Sequence, residues 1–265
     1  LTAIATDSTS YSFTYDEYGN QNTVKAGDNT LASYEYNENN GKLKKVTING
    51  TLYRIGEMAF WQCASLEEVI INGSVEIVGG GAFYNCESLI EINLPAGIKS
   101  IDGSVEYDYD PCGTFEGCTG LTKVTVGDES ASVKFSIGDR AFYGCSALKE
   151  ATLGNGLTDI RPFAFMYSGI KTITLGDSLK TISGGAFYGC SELLEITIPK
   201  KVESIHDRDY ISTGYSTGDY YGAFGNCESL KKVTFNSDKI TIGTMAFWKC
   251  TSLEEVIFNG VVESI

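Results

Sequence analysis

A phenylalanine followed three residues later by cysteine occurs at Phe60, Phe83, Phe115, Phe142, Phe187, Phe224 and Phe247, and Phe165 repeats the pattern with Ser168 in the cysteine place. The steps between successive phenylalanines are 23, 32, 27, 23, 22, 37 and 23 residues, which describes a unit of 22 to 23 residues with three insertions. This constrains the fold more than any other property of the chain. A unit so short cannot bury its own apolar face and must stack on its neighbours.

Each unit carries an apolar pattern L-x-x-V-x-I, as at Leu66/Val69/Ile71, Leu89/Ile92/Leu94, Leu121/Val124/Val126, Leu148/Ala151/Leu153 and Leu253/Val256/Phe258, with an earlier copy at Leu43/Val46/Ile48. Alternation at the last two positions predicts a short strand with one face inward. Seven residues on stands another apolar position, filled by Ile55, Val78, Ile101, Ile160, Ile182, Ile205, Ile242 and Ile265, and by Ile137 where an insertion stretches the spacing. Two short strands per turn follow, with parallel neighbours ~4.8 Å apart and like residues above like. The phenylalanines are expected to stack as an apolar spine, the preceding alanine leaves room for the turn, and cysteine is a small, readily buried residue for the tight return. Gly79, Gly80, Gly81, Gly184 and Gly185 supply backbone freedom just before that turn.

The combination I-x-x-x-A-F-x-x-C-x-x-L-x-x-V-x-I-P, best seen in "AFYGCSELLEITIPKKVESI" (Ala186 to Ile205), resembles the BspA-type leucine-rich repeat. The resemblance implies a β-rich repeat solenoid, a right-handed curved leucine-rich repeat with two short strands per unit. It covers residues 43–265, with insertions near 102–114, 127–136 and 206–222. It also implies surface display and adhesion to a host or neighbouring-cell macromolecule, hence an extracellular or cell-surface protein. Ser168, Thr114 in the alanine place before Phe115, and Ala151 in a strand position depart from the pattern and read as tolerable.

Residues 1–42 repeat differently. "YSFTYDEYGNQNTVKAG" and "YEYNENNGKLKKVTING" set aromatics at alternate positions before acidic, Asn and Gly residues, as β-hairpins do. Through Tyr15-Asp16, Gly19-Asn20, Tyr36-Asn37 and Gly41 they resemble the YD repeat of RHS-type proteins. The structural reading is an N-terminal β-hairpin cap over the first coil. The functional alternative is a passive spacer or carrier segment of a larger RHS-like secreted protein. At the other end, the last coil lacks a polar closing unit, so further repeats or end-to-end self-association are expected.

Function classes narrow by exclusion. Asp and Glu number 34 against 20 Lys and Arg, a formal charge of −14 that repels nucleic acid and anionic membrane surfaces. No apolar window is long enough for membrane insertion as a helix. His206 is the single histidine, and the sequence contains no nucleophile elbow, H-E-x-x-H motif or phosphate-cradling loop, so no enzyme, metal or cofactor is expected. Seven cysteines occupy one repeat position and read as buried, reduced packing residues. Cys112 lies off that ladder, six residues before Cys118; a bridge between the two stays open, and Cys112 is otherwise the thiol expected to react.

Candidate contact residues lie in the insertions: Tyr107, Asp108, Tyr109 and Asp110 in one, and Tyr210, Tyr215, Asp219, Tyr220 and Tyr221 in the other. Tyrosine with Ser, Gly and Asp is the composition of a binding loop, and the partner expected is a surface protein or glycan. Directly after the repeat phenylalanines stand Trp61, Tyr84, Glu116, Tyr143, Met166, Tyr188, Gly225 and Trp248, a bulky stripe with gaps at Glu116 and Gly225. Both gaps follow a long insertion. Tyr109 and one of Tyr220 or Tyr221 are expected to fold back and fill them.

Overall fold

A computed structural model describes residues 3–6, 9–103, 105–107, 110–130, 132–206 and 221–264, with backbone alone for 3–6, 9, 105–107, 110 and 111. Among the described residues there is no helix; short strands stack in two parallel ladders. The back ladder is one unbroken nine-stranded sheet running from Thr51–Ile55 through Ser74–Val78, Ser100–Ile101, Phe135–Ile137, Leu157–Ile160, Thr181–Ile182, Ser204–Ile205 and Lys239–Ile242 to Val261–Ser264. The front ladder also contributes one strand per coil, from Leu43–Ile48 to Glu255–Phe258. Its pairing lapses between Glu68–Ile71 and Glu91–Leu94, and again between Thr172–Thr174 and Glu195–Ile198.

Register follows the repeat. Along the back ladder Ile55 stands beside Val78, Val78 beside Ile101, Ile101 beside Ile137, Ile137 beside Ile160, then Ile182, Ile205 and Ile242 in turn. Ile137 therefore takes its place despite the insertion before it. On the front ladder Val69, Ile92, Val124, Ala151 and Val233 are buried, whereas Asn93, Thr152 and Thr197 between inward positions face out.

The phenylalanine spine is continuous from Phe60 to Phe247. Centroids of successive rings lie 5.0 to 5.3 Å apart and the planes are within 17° of parallel. Six of the ladder cysteines carry a feature that packing alone does not require: each thiol donates to the carbonyl of the preceding coil's spine phenylalanine, as Cys118 Sγ does to Phe83 O at 3.1 Å.

The turn after the spine is also built from backbone. The residue before each ladder position (Gln62, Asn85, Gly117, Gly144, Tyr167, Gly189, Asn226 and Lys249) has φ between 54° and 72°, the left-handed region. Its N–H donates to the carbonyl of the next coil, from Gln62 N to Tyr84 O at 2.7 Å through Asn226 N to Trp248 O at 2.7 Å. One residue per coil in this conformation turns the peptide so that the coils are bonded at the corner as well as along the strands.

The first residues form an antiparallel meander, Ala3–Thr6, Thr9–Tyr15, Gln21–Ala26 and Asn29–Tyr36, whose last strand pairs Leu43–Ile48 in the front ladder. It satisfies the outer edge of the first front strand. The first back strand, Thr51–Ile55, pairs only with Ser74–Val78, and Tyr53 there is exposed.

Candidate functional site

Insertions 102–114 and 206–222 interrupt the repeat just ahead of the spine, so they join the solenoid at its corner. Insertion 102–114 is held where it leaves and returns. Thr114 Oγ1 donates to Asp102 O at 2.7 Å and to Gly79 O at 3.2 Å, and Gly113 N donates to Glu116 Oε2 at 2.8 Å. Between these points Val105–Tyr107 pairs antiparallel with Asp110–Cys112, so the segment is a β-hairpin rather than an irregular loop. Thr114 is thus the clasp of the insertion, not a tolerated departure.

Glu116 is no gap in the stripe. Its carboxylate is buried and takes Arg140 through both oxygens, Nε to Oε2 at 3.0 Å and Nη2 to Oε1. Arg140 in turn lies over Tyr143, with Cζ 4.2 Å from the ring centroid. The position read as a gap thus holds a charged pair, while Tyr109, expected beside it, lies outside the described residues. Burial pushes the Tyr143 phenol up, and Arg140 pulls the other way.

From Tyr143 a chain of aromatic rings runs along the corner. Tyr143 meets Tyr167 edge to face at 5.9 Å, Tyr167 meets Tyr188 at 5.9 Å, Tyr188 meets Tyr221 at 5.0 Å, and Tyr221 meets Phe163 at 5.5 Å. Interplanar angles are 84° to 89°, the arrangement favoured when the positive edge of one ring meets the negative face of the next. Tyr167 is 47% exposed.

Two members of this ribbon stand in strained backbone. Tyr167 has φ 57° and Phe163 φ 58°, in slots that hold Gly144 and Gly189, and Gly81 and Gly185, in other coils. Bulky side chains seldom adopt this region, at roughly 1–3 kcal/mol each. Both rings lie over a glycine of the following coil: a Cβ at Gly189 would come 2.5 Å from Tyr167 Cδ1, and one at Gly185 would come 2.4 Å from Phe163 Cδ1.

Of the expected contact residues, Tyr221 is in the ribbon. It packs on Tyr188, which itself leans over Gly225, so that gap is closed jointly by the stripe and the insertion. Tyr107 and Asp110 are strand residues described by backbone alone, and Asp108, Tyr109, Tyr210, Tyr215, Asp219 and Tyr220 lie outside the described residues. Met166 is buried, and its neighbour Tyr167 supplies the ring instead. Sequence reading missed Phe163, Tyr167 and Arg140. The only signal was an aromatic in slots that Gly, Asn, Gln, Lys, Met or Arg fill elsewhere, too mixed a set to mark Phe163 and Tyr167, and none marked Arg140. At the N-terminal end Trp61 stacks on Tyr84 at 6.1 Å, and at the other end Lys249 Nζ sits 4.4 Å above the Trp248 ring.

A polar groove of about 320 Å³, lined by Ser100, Asp102, Ser136, Asp139 and Arg161 among others, lies at the foot of insertion 102–114. Asp102 there is paired with Arg54 at 2.7 Å and accepts from Ser100 Oγ at 2.8 Å. All eight cysteines lack disulfides. Cys112 is buried, contrary to the expectation that it would be the reactive thiol; Cys63 and Cys250, in the terminal coils, are the half-buried ones.

Stacked coils with two short strands each, a phenylalanine spine and inward leucines define a leucine-rich repeat β-solenoid. The chain belongs to the BspA type leucine rich repeat region family, whose model matches in six copies over residues 11–110, 111–219 and 213–265. Because that match begins at residue 11, it takes in the N-terminal hairpins, and a YD-repeat kinship receives no support. No curated protein matches the chain. Among solved structures it is similar to the T. pallidum leucine rich repeat protein, at 20% identity and TM-score 0.51, over 84% of this chain and 88% of that one. A leucine rich cell surface protein from Faecalibacterium prausnitzii A2-165 matches at 17% identity and TM-score 0.39 over 98% and 96%, and a leucine-rich repeat protein from Bacteroides ovatus ATCC 8483 at 22% and 0.36 over 86% and 75%.

Proposed function

We propose that the protein is a non-enzymatic recognition module at the cell surface or in the extracellular space, adhesin-like, that binds a macromolecule of a host or neighbouring cell through the aromatic ribbon. The observation that carries this reading is Tyr167. Every coil puts this corner residue in the left-handed region, filled elsewhere by Gly, Asn, Gln or Lys; this coil alone holds an aromatic there, Tyr167 at φ 57°, and leaves it 47% exposed. A large ring held in this backbone region and left half exposed between Tyr143 and Tyr188 supports a contact role for it. Tyrosine is also among the commonest anchors of protein interfaces. In this reading Tyr107, Asp108, Tyr109, Asp110, Tyr210, Tyr215, Asp219 and Tyr220 of the insertions are further contact residues, joining Tyr221. A passive carrier would have no use for the strained rings, and that alternative rested on the YD resemblance.

The test is binding of the full chain to immobilised extracellular matrix, mucus and neighbouring bacterial cells. Wild type should be retained on at least one of them, and the double variant Tyr167→Gly, Tyr188→Ala should be released. Equal retention of both proteins would remove the ribbon from the reading, and no retention of wild type on any of them would remove the reading itself.

A further inference from the structure

The ribbon carries information about the chemistry of its partner. A tyrosine ring presents a negative face, and a cation set over it within about 6 Å is attracted. The chain uses this contact itself at two places on the same corner: Arg140 over Tyr143 at 4.2 Å and Lys249 over Trp248 at 4.4 Å. The chain as a whole is acidic, with formal charge −14. The bias is concentrated in the segments that leave from this corner. Residues 102–114 contain Asp102, Glu106, Asp108 and Asp110 with no Lys or Arg, and residues 206–222 contain Asp207, Asp209 and Asp219 against Arg208. Such a field raises the encounter rate with cationic partners and disfavours anionic ones.

We infer that Tyr167, Tyr188 and Tyr221, beside the Tyr143 ring that Arg140 already occupies, form a docking surface for a cationic polypeptide segment, an arginine-rich stretch of a partner protein whose guanidinium groups stack on the tyrosine rings. This rests on the recognition reading above and adds the class of partner. Arginine fits better than lysine because its planar, weakly hydrated head stacks on an aromatic face while keeping its in-plane donors for neighbouring carboxylates. Arg140 shows that division of labour within the chain, with its face on Tyr143 and its edge on Glu116.

The experiment uses the full chain and a fluorescent synthetic peptide alternating Arg and Gly, followed by anisotropy. Lys-Gly, Glu-Gly and proline-rich peptides and a neutral oligosaccharide serve as comparators. The Arg-Gly peptide should bind best, more weakly as salt is raised. Tyr167→Gly should weaken it about five- to tenfold, the effect of one well-placed cation–π contact, whereas Tyr167→Phe should bind like wild type. Glycine suits φ 57° and stands in this slot at Gly117, Gly144 and Gly189, so Tyr167→Gly keeps the fold, which a thermal melt checks. Binding that ignores Tyr167→Gly would mean charge attraction without the ribbon and would overturn the inference. So would no binding of the Arg-Gly peptide, or preference for the proline-rich peptide or the oligosaccharide. None of these outcomes decides the retention assay on natural surfaces, so the partner class can fail while the recognition reading stands.

Discussion

Cys118 shows what the cysteine slot is for. Its thiol is small enough for the turn and donates to Phe83 O, a buried carbonyl that also accepts the Cys86 N–H at 3.2 Å, so the thiol supplies its second hydrogen bond. Ser168 serves the same slot with a hydroxyl and meets Cys190 Sγ at 3.3 Å. Burial pushes these thiols up, to about 12 at Cys190 and about 11 at Cys250, with Cys86, Cys118, Cys145 and Cys227 shifted the same way. In the unfolded chain a thiol titrates near pH 8.5, so above that value the unfolded state binds fewer protons than the folded one and stability falls. The ladder's contribution is complete below about pH 8 and is lost as pH rises towards 11 and 12. Urea midpoints should therefore drop between pH 8 and pH 10.5, and Cys190→Ser should lessen the drop. Denatured, unreduced protein should release all eight thiols to Ellman's reagent, with Cys63 and Cys250 reacting first in the native state. The left-handed corner gives a second check. Gly189→Ala, at φ 71° and against the Tyr167 ring, should destabilise by more than about 1 kcal/mol in chemical denaturation, whereas Tyr167→Gly should be neutral or stabilising. The phenylalanine, cysteine and leucine places were legible in the sequence because each keeps one side-chain type. The corner was not, because Gln62, Asn85, Tyr167 and Lys249 share a backbone requirement and no chemistry. The ribbon was hidden with it.

At the scale of elements, the insertion between Ile101 and Phe115 is tied into the solenoid by side chains that break the repeat's consensus. Thr114 bonds the carbonyls of Asp102 and Gly79, while Glu116 joins Gly113 to Arg140. Glu116→Gln keeps the shape but removes the charge from a pair that is mostly buried, and it should cost roughly 1.5–3 kcal/mol by urea titration. Thr114→Ala should leave the neighbouring coils intact while raising hydrogen exchange in Val105–Tyr107 and Asp110–Cys112. An unchanged exchange pattern would show that the hairpin stands without its clasp. Position-by-position reading marks Thr114 as a departure to be tolerated, because its partners lie 12 and 35 residues away in the chain.

For the whole molecule, the spine makes each coil the floor of the next. Phe142 lies between Phe115 at 5.1 Å and Phe165 at 5.0 Å and is fully buried. Phe142→Ala should cost about 3–5 kcal/mol and separate the melting of the two halves, since a repeat array is held together by contacts between neighbours. Phe247→Ala, in a coil where Val256 is 45% and Val261 62% exposed, should cost less and leave the rest of the melt unchanged. Hydrogen exchange should accordingly be slowest between Lys123 and Ile198 and fastest over Glu255–Ser264.

The two ladders differ in continuity, and that difference has a mechanical consequence. The back sheet runs unbroken through nine strands, while the front pairing lapses after Ile71 and after Thr174. A rod built this way has one side that resists stretching and another with two compliant joints. Under tension it should flex about the back sheet as three stiff blocks, opening at the front joints before any coil is lost. The ribbon from Tyr143 to Tyr221 straddles the second joint, so tension on the rod would be felt first by the rings proposed to hold a partner.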